Sequence, residues 1–228
     1  LFDCLATAVD GSLLEAPVAR RRTALEQFFA SLGDQLTLRL TPYTRDVATA
    51  RSWLKKGRGS LDAIVAKRLD GVYMPGERAM LKVKLLRTTD CVVGGFRYAA
   101  DSNLVGSLLL GLYDDAGKLH HVGFTATIKD EERKALTKKL EKLIEPPGFT
   151  GDAPGAPSRW SNERSAEWQP LKPKLVVEVK YDQVTGNRFR HGTRLVRWRP
   201  DKKPSQCTCD QLQREAPPAK LITEVIGR

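Results

Sequence analysis

Two lysines one residue apart, in Leu81-Lys82-Val83-Lys84, are the first residues in this sequence whose spacing suggests chemistry. In a strand, residues two apart share a face, so both ammonium groups point the same way. Like charges held together repel unless an anion lies between them, and a phosphate supplies that charge. A solvated edge strand carries lysines for a plainer reason, and that alternative stays open. Upstream, Leu61-Asp62-Ala63-Ile64-Val65-Ala66-Lys67-Arg68 sets a carboxylate before an apolar strand and an ammonium at its end. A carboxylate beside phosphate-facing lysines can hold a divalent metal bridging to phosphate oxygens; a surface ion pair is the bland alternative.

A second group lies near the other end. Arg188, Arg190, Arg194, Arg197, Arg199, Lys202 and Lys203 are interleaved with Phe189, His191 and Trp198. Guanidiniums alternating with rings suit a surface that tracks a nucleic-acid backbone. Part of the run is expected to be structural, with Leu195 and Trp198 turned into and along a barrel. His120 and His121 fall in a hairpin and His191 in a loop, with no Ser or Cys in a persuasive relation to them, so all three read as non-catalytic. Cys4, Cys91, Cys207 and Cys209 lack the paired spacing of a structural zinc site. Buried or free thiols in a reducing cytoplasm are expected instead.

Periodicity indicates the helices and strands on which these groups sit. Leu1-Phe2-Asp3-Cys4-Leu5-Ala6 reads as the middle of a core strand without a polar lead-in, which points to a fragment. Pro17 is expected at the first position of a helix that ends before Gly33, with Leu25, Phe28, Phe29 and Leu32 as its apolar stripe. Leu36, Leu38 and Leu40 alternate as a half-buried strand. A second helix is expected from Thr44 to Lys56, with Val47, Trp53 and Leu54 inward and Gly57 as its stop.

Two short strands, Ala63 to Ala66 and Met80 to Val83, flank a Met74-Pro75-Gly76-Glu77 turn. From Cys91 onward short strands and Gly turns dominate, among them Asp114-Asp115-Ala116-Gly117. One helix is expected from Asp130 to Ile144, with Leu136, Leu140 and Leu143 on one face. Pro146 to Ser158 reads as an extended surface loop, and strands resume at Leu175 to Tyr181 and Thr193 to Trp198. The expected class is α+β, with a mixed unit over residues 1–85 and a small Greek-key barrel of the OB type over 86–228.

Composition sets the outer bounds. With 228 residues and a hydrophobic fraction of 41%, the chain is long enough for one large domain or two modest ones, each with its own core. Its 38 Lys and Arg against 27 Asp and Glu leave a net charge of +11, which favours a polyanionic partner. No apolar run approaches the roughly 20 residues that cross a bilayer, and no signal peptide is visible, so no membrane role is expected.

Asp62 to Lys67 resembles motif IV of the covalent nucleotidyltransferases, Glu-Gly-x-Val-x-Lys, and Lys82-Val83-Lys84 resembles motif V. Phe2-Asp3-Cys4-Leu5-Ala6 resembles the Phe-Asp-Leu-Leu element of motif III, and Arg199-Pro200-Asp201-Lys202 matches the Arg-x-Asp-Lys of motif VI. The order holds from Phe2 to Lys202, and the run through Trp198 looks most like the small bacterial ATP-dependent DNA ligases. The resemblance implies the C-terminal portion of an adenylation domain followed by an OB domain. It implies ATP and Mg²⁺ or Mn²⁺ as cofactors, nicked duplex DNA as partner, a monomer, and a bacterial cytoplasmic location.

It also implies roles. Phe2 stacks on adenine, Lys67, Lys82 and Lys84 serve the nucleotide, and Lys82 and Lys84 hold the α-phosphate. Asp62 assists the metal, and Arg199, Asp201 and Lys202 orient pyrophosphate as the OB domain closes. Arg188, Arg190, Arg194, Arg197 and Lys203 face DNA. The pattern departs at Asp62, where the family has Glu, and at Ala63, where it has Gly. The family's nucleophile lies in Lys-x-Asp-Gly, and this sequence has none. Lys67-Arg68-Leu69-Asp70-Gly71 is one residue too long, and Lys180-Tyr181-Asp182-Gln183 lacks the glycine. The nucleophile is therefore expected upstream of Leu1, and this chain alone is expected not to self-adenylate. An RNA ligase or capping-type nucleotidyltransferase, or a non-enzymatic OB-fold DNA-binding module, are the alternatives.

Overall fold

The structure, a computed structural model, describes residues 1–33, 37–56, 61, 63–155 and 167–212. The chain divides into two compact units, one built on Leu1–Leu85 and one on Leu86–Glu215.

The first unit opens with β1 (Ala6–Thr7) and β2 (Gly11–Ser12), a short hairpin. The core strand expected over Leu1 to Ala6 is not formed. Leu1 exchanges backbone bonds with Arg39 and Thr41, but the amide of Cys4 donates to its neighbour's carboxylate, Asp3 Oδ1, at 2.9 Å, so no ladder continues. Helix α1 (Val18–Ser31) follows, with Pro17 as its extended N-cap rather than its first helical residue. Of the expected stripe only Leu25 is buried; Phe28 is exposed, because the side of α1 that packs carries Arg21, Ala24 and Leu25.

Thr37 to Leu40 form no strand although their burial alternates, and Leu36 lies outside the described residues. Helix α2 (Val47–Lys56) starts three residues later than expected. Asp46 caps it by accepting from the amides of Ala48 and Thr49. Val47 is exposed, not inward, while Trp53 and Leu54 are half-buried; Gly57 lies outside the described residues.

Strands β3 (Ala63–Lys67) and β4 (Met80–Lys84) pair antiparallel as a separate sheet. Between them the Glu77 amide donates to Met74 O, and Gly76 supplies the φ of +81° which that turn requires. The unit's buried cluster is small, consisting of Cys4, Leu13, Ala24 and Leu25. Val65, Leu81 and Val83 of the hairpin stay exposed.

The second unit is a barrel. Its strands are β5 (Arg87–Tyr98), β6 (Val105–Tyr113), β7 (Leu119–Thr125), the short β8 (Gln169–Pro170), β9 (Val176–Tyr181) and β12 (Arg194–Trp198). They run in the order β12-β9-β5-β6-β7, with β8 also on β5. A parallel bridge from Thr125 to Thr193 brings β7 back to the start of β12. That closure is what a small OB barrel requires. The short hairpin of β10 (Val184–Thr185) and β11 (Arg188–Phe189) stands beside it.

Helix α3 (Asp130–Glu141) has acids in its first turn and lysines in its last, matching the helix dipole. It ends three residues short of expectation, because Leu143 and Ile144 turn tightly, their amides donating to Leu140 and Glu141. Leu136 and Leu140 are buried in the barrel core with Val92, Phe96, Leu108 and Leu110. The segment from Pro146 is not simply a surface loop. Phe149 is buried against Trp168 and His121, and a Cβ at Gly94 would stand 2.6 Å from its ring. A ring this well covered repays the ordering of a Pro- and Gly-rich segment.

Candidate functional site

In the first unit the register of β3 on β4 sets Lys67 opposite Met80, Val65 opposite Lys82 and Ala63 opposite Lys84. Directly opposed residues share a face, so Lys67, Lys82 and Lys84 all stand on one side of the hairpin. Phe2 is at its Lys67 end. Lys67 Nζ donates to Phe2 O at 3.4 Å and stands 5.7 Å from the centre of the Phe2 ring, which is 75% exposed. Asp62 lies outside the described residues.

Lys67 is fixed by Asp3, a residue that no spacing in the sequence marks for this role. Its Nζ donates to Asp3 Oδ2 at 2.9 Å, and Arg21 Nε donates to Asp3 Oδ1 at 2.9 Å. Burial alone would raise the Asp3 carboxyl; the Arg21 and Lys67 cations overcome it and hold the group below its ordinary value. Arg21 is buried and also donates to Ala16 O and Gly71 O, tying α1 to the chain that leaves β3. The only sequence signal was the run Arg20-Arg21-Arg22, whose middle member faces inward. A cavity of about 270 Å³ opens here, with Asp3, Arg21, Lys67, Tyr73 and Met80 in its walls.

In the second unit Arg199, Asp201 and Lys202 form one cluster, centred on a residue that sequence reasoning did not single out. Asp90, on β5, accepts from Arg199 Nη1 at 2.9 and 3.1 Å and from Lys202 Nζ at 2.7 Å. Arg199 also grips Asp201, with Nε at 3.0 Å and Nη2 at 2.8 Å. That contact holds the Asp201 carboxyl at about 2 despite some desolvation. Gln211 closes the cluster by donating to the Asp90 carbonyl at 3.3 Å.

The basic run is partly committed within the chain. Arg197 pairs with Glu178 across the strands at 2.7 Å, Arg190 donates to Gln183 Oε1 at 2.9 Å, and Arg188 Nη2 donates to His121 Nδ1 at 3.0 Å. Arg194 and Lys203 are exposed, with no ionic partner among the described residues. Burial, aided by Arg188 and Arg97, pushes His121 down to about 3, so the ring is a neutral acceptor. His120 sits between Asp114 and Asp152, the first of which does most to raise it.

Among the described residues no group of three or more His, Cys, Asp or Glu side chains could hold a metal ion, and no helix is long and apolar enough to cross a membrane.

Residues 1–84 match the ATP dependent DNA ligase domain, and residues 101–202 match the ATP dependent DNA ligase C terminal region. The chain belongs to the ATP-dependent DNA ligase family. The two units are accordingly the C-terminal portion of a nucleotidyltransferase domain and an OB-fold domain. DNA ligase C1 of Mycolicibacterium smegmatis is 44% identical over 219 residues, covering 92% of this chain and 60% of that protein. DNA ligase C of Mycobacterium tuberculosis is 38% identical, covering 93% of this chain and 64% of that protein. The chain thus spans less than two thirds of either relative. The solved structure Pmar-Lig_PreS3 shares the fold at 14% identity, with a TM-score of 0.52 over 81% of this chain and 40% of its own.

Proposed function

We propose that this chain supplies the phosphate-facing strands and the OB domain of an ATP-dependent DNA ligase that seals nicks in duplex DNA. The observation that carries the reading is the single face of β3 and β4 bearing Lys67, Lys82 and Lys84, with the Phe2 ring at its edge. Fixed cations in that arrangement suit a nucleotide whose base lies on the ring and whose phosphates run along the hairpin.

In the reaction a lysine is adenylated with loss of pyrophosphate. AMP then passes to the 5′-phosphate at the nick, and the 3′-hydroxyl displaces AMP. The nucleophile comes from the part of the relatives that this chain does not span. Here Lys82 and Lys84 neutralise the α-phosphate in every step, while Arg199, Asp201 and Lys202 orient the pyrophosphate in the first. Asp62 is the carboxylate that would hold a Mg²⁺ or Mn²⁺ ion, which would supply positive charge against the phosphates. Arg194 and Lys203, joined by Arg188, Arg190 and Arg197, meet the DNA backbone, and the enzyme acts as a monomer.

The test uses the whole protein with α-labelled ATP, magnesium and a nicked duplex. A labelled protein and a sealed strand are expected, with nicked RNA left unsealed. The 228-residue chain alone should take up no label. An acid-stable AMP adduct on one of its lysines would overturn this assignment of roles.

A further inference from the structure

Arg199 and Lys202, the two motif VI cations, are already neutralised inside the second unit. Asp90 is 9% exposed, and its carboxylate takes Arg199 Nη1 at 2.9 Å and Lys202 Nζ at 2.7 Å. The Arg199, Lys202 and Asp90 side chains are only 19%, 20% and 12% exposed, so little water screens these contacts. Asp201 adds a second carboxylate, and two cations against two anions leave the cluster without net charge. A pyrophosphate group reaching these cations meets donors that are spoken for and a buried negative charge beneath them.

We propose that Asp90 is the internal rival of the pyrophosphate group, holding Arg199 and Lys202 whenever no triphosphate is bound and giving them up when one is. The proposal rests on the ligase reading above, and it makes Asp90 a positioning residue acting through two others.

The chemistry favours competition over simple bracing. A carboxylate and a phosphate oxygen seek the same N–H donors, and each binds in place of the other. A braced cation could keep Asp90 and still reach outward, but the Asp90 charge would then repel the phosphate from close range. Either way the charge on Asp90 opposes ATP and has no counterpart when a pre-adenylated nick is sealed. Gln211 supports the parked arrangement, since its side-chain amide donates to the Asp90 carbonyl and to Thr208 O and so fixes the start of β5 against the turn that follows β12.

The test compares the unsubstituted whole enzyme with Asp90→Asn, which keeps the shape and removes the charge. The ATP concentration that half-saturates adenylation should fall at least about fivefold, and inorganic pyrophosphate should inhibit more strongly by a similar factor. Sealing of a pre-adenylated nick should change less than about twofold. Lys202→Met should raise half-saturating ATP, and adding Asp90→Asn to it should recover less than in the unsubstituted background. An unchanged or raised half-saturation in Asp90→Asn, or full additivity, overturns the proposal.

A second measurement needs no substitution. With selectively labelled aspartate, the Asp90 carboxyl resonance should move when α,β-methylene-ATP binds, because its two cations leave. A resonance that stays put at saturation overturns the proposal even if Asp90→Asn fails to fold. If the unsubstituted enzyme forms no lysyl-AMP, it is the ligase reading that falls. If it does and Asp90→Asn behaves as a bracing mutant, only the rivalry falls.

Discussion

Lys67 Nζ lies 2.9 Å from Asp3 Oδ2, a contact that joins the end of β3 to the segment carrying Phe2, 64 residues earlier in the chain. The carboxylate is shared with Arg21, whose side chain is 3% exposed, so removing it strands a buried guanidinium. Asp3→Asn should destabilise the first unit by about 3 kcal/mol, the order expected when one partner of a buried pair is lost. The pH dependence has a definite sign. A carboxyl held low in the folded state stabilises above its unfolded value near 4 and loses that contribution as pH falls through its folded value. Thermal melts of the first unit between pH 7 and acid should therefore drop below about pH 4, and Asp3→Asn should flatten that drop. A variant as acid-sensitive as the parent would remove Asp3 from this role.

The hairpin of β3 and β4 was legible because its signals are local, namely alternation, a Pro-Gly turn and lysines two apart. The barrel was legible for a similar reason, since its strands are short apolar runs between Gly turns. What the sequence concealed was long-range pairing. Nothing near Asp90 indicates that its partners are 109 and 112 residues away, or that Arg21 turns inward to meet Asp3. Phe149 was hidden by composition, because four prolines and three glycines read as a surface loop whatever ring they carry. The opening strand failed for want of a ladder partner, a tertiary condition that an apolar run does not reveal.

Arg194 and Arg197 lie three residues apart on β12 but in different electrostatic states. Arg197 is paired with Glu178, whereas Arg194 has no ionic partner among the described residues. Each phosphate contact adds about 0.9 to the slope of log affinity against log salt. In the whole enzyme Arg194→Ala should reduce that slope by close to one contact's worth, and Arg197→Ala by less, because Glu178 already claims part of its charge. Titrating a nicked duplex with each variant between roughly 50 and 200 mM salt measures both slopes. The reverse order would mean that Arg197 leaves Glu178 for the DNA.

His121 gives the second unit its own acid response. Burial and the neighbouring arginines hold it at about 3 in the fold, against roughly 6.5 in the unfolded chain. The unfolded state then binds the extra proton, so the stabilisation is complete above about pH 6.5 and drains away as pH falls toward 3. His121→Phe keeps an aromatic ring beside Phe149, 5.4 Å away in the parent, and removes the titration. Its melting temperature should start lower, because Arg188 loses its acceptor, yet fall less steeply from pH 7 to 4. Parallel curves for the two proteins would show that another group titrates.

Lys84 and the Asp201 and Lys202 pair are assigned to different moments of the reaction, and the steps can be assayed apart. The α-phosphate is present from ATP to the adenylated nick, so a cation facing it matters throughout. Lys84→Ala in the whole enzyme should slow both adenylation and the sealing of a pre-adenylated nick, each by roughly a hundredfold, the scale seen when one fixed donor to a developing charge is lost. Pyrophosphate leaves in the first step and never returns. Asp201→Ala combined with Lys202→Ala should therefore slow adenylation by a similar factor while the pre-adenylated nick is sealed at close to the parent rate. The structure adds a condition, because Arg199 loses its tightest partner with Asp201 and Asp90 loses Lys202. The double variant's melting temperature must accordingly be measured beside its rates. Equal loss in both assays with a normal melt would mean that these residues hold DNA, and their assignment to pyrophosphate would have to be dropped.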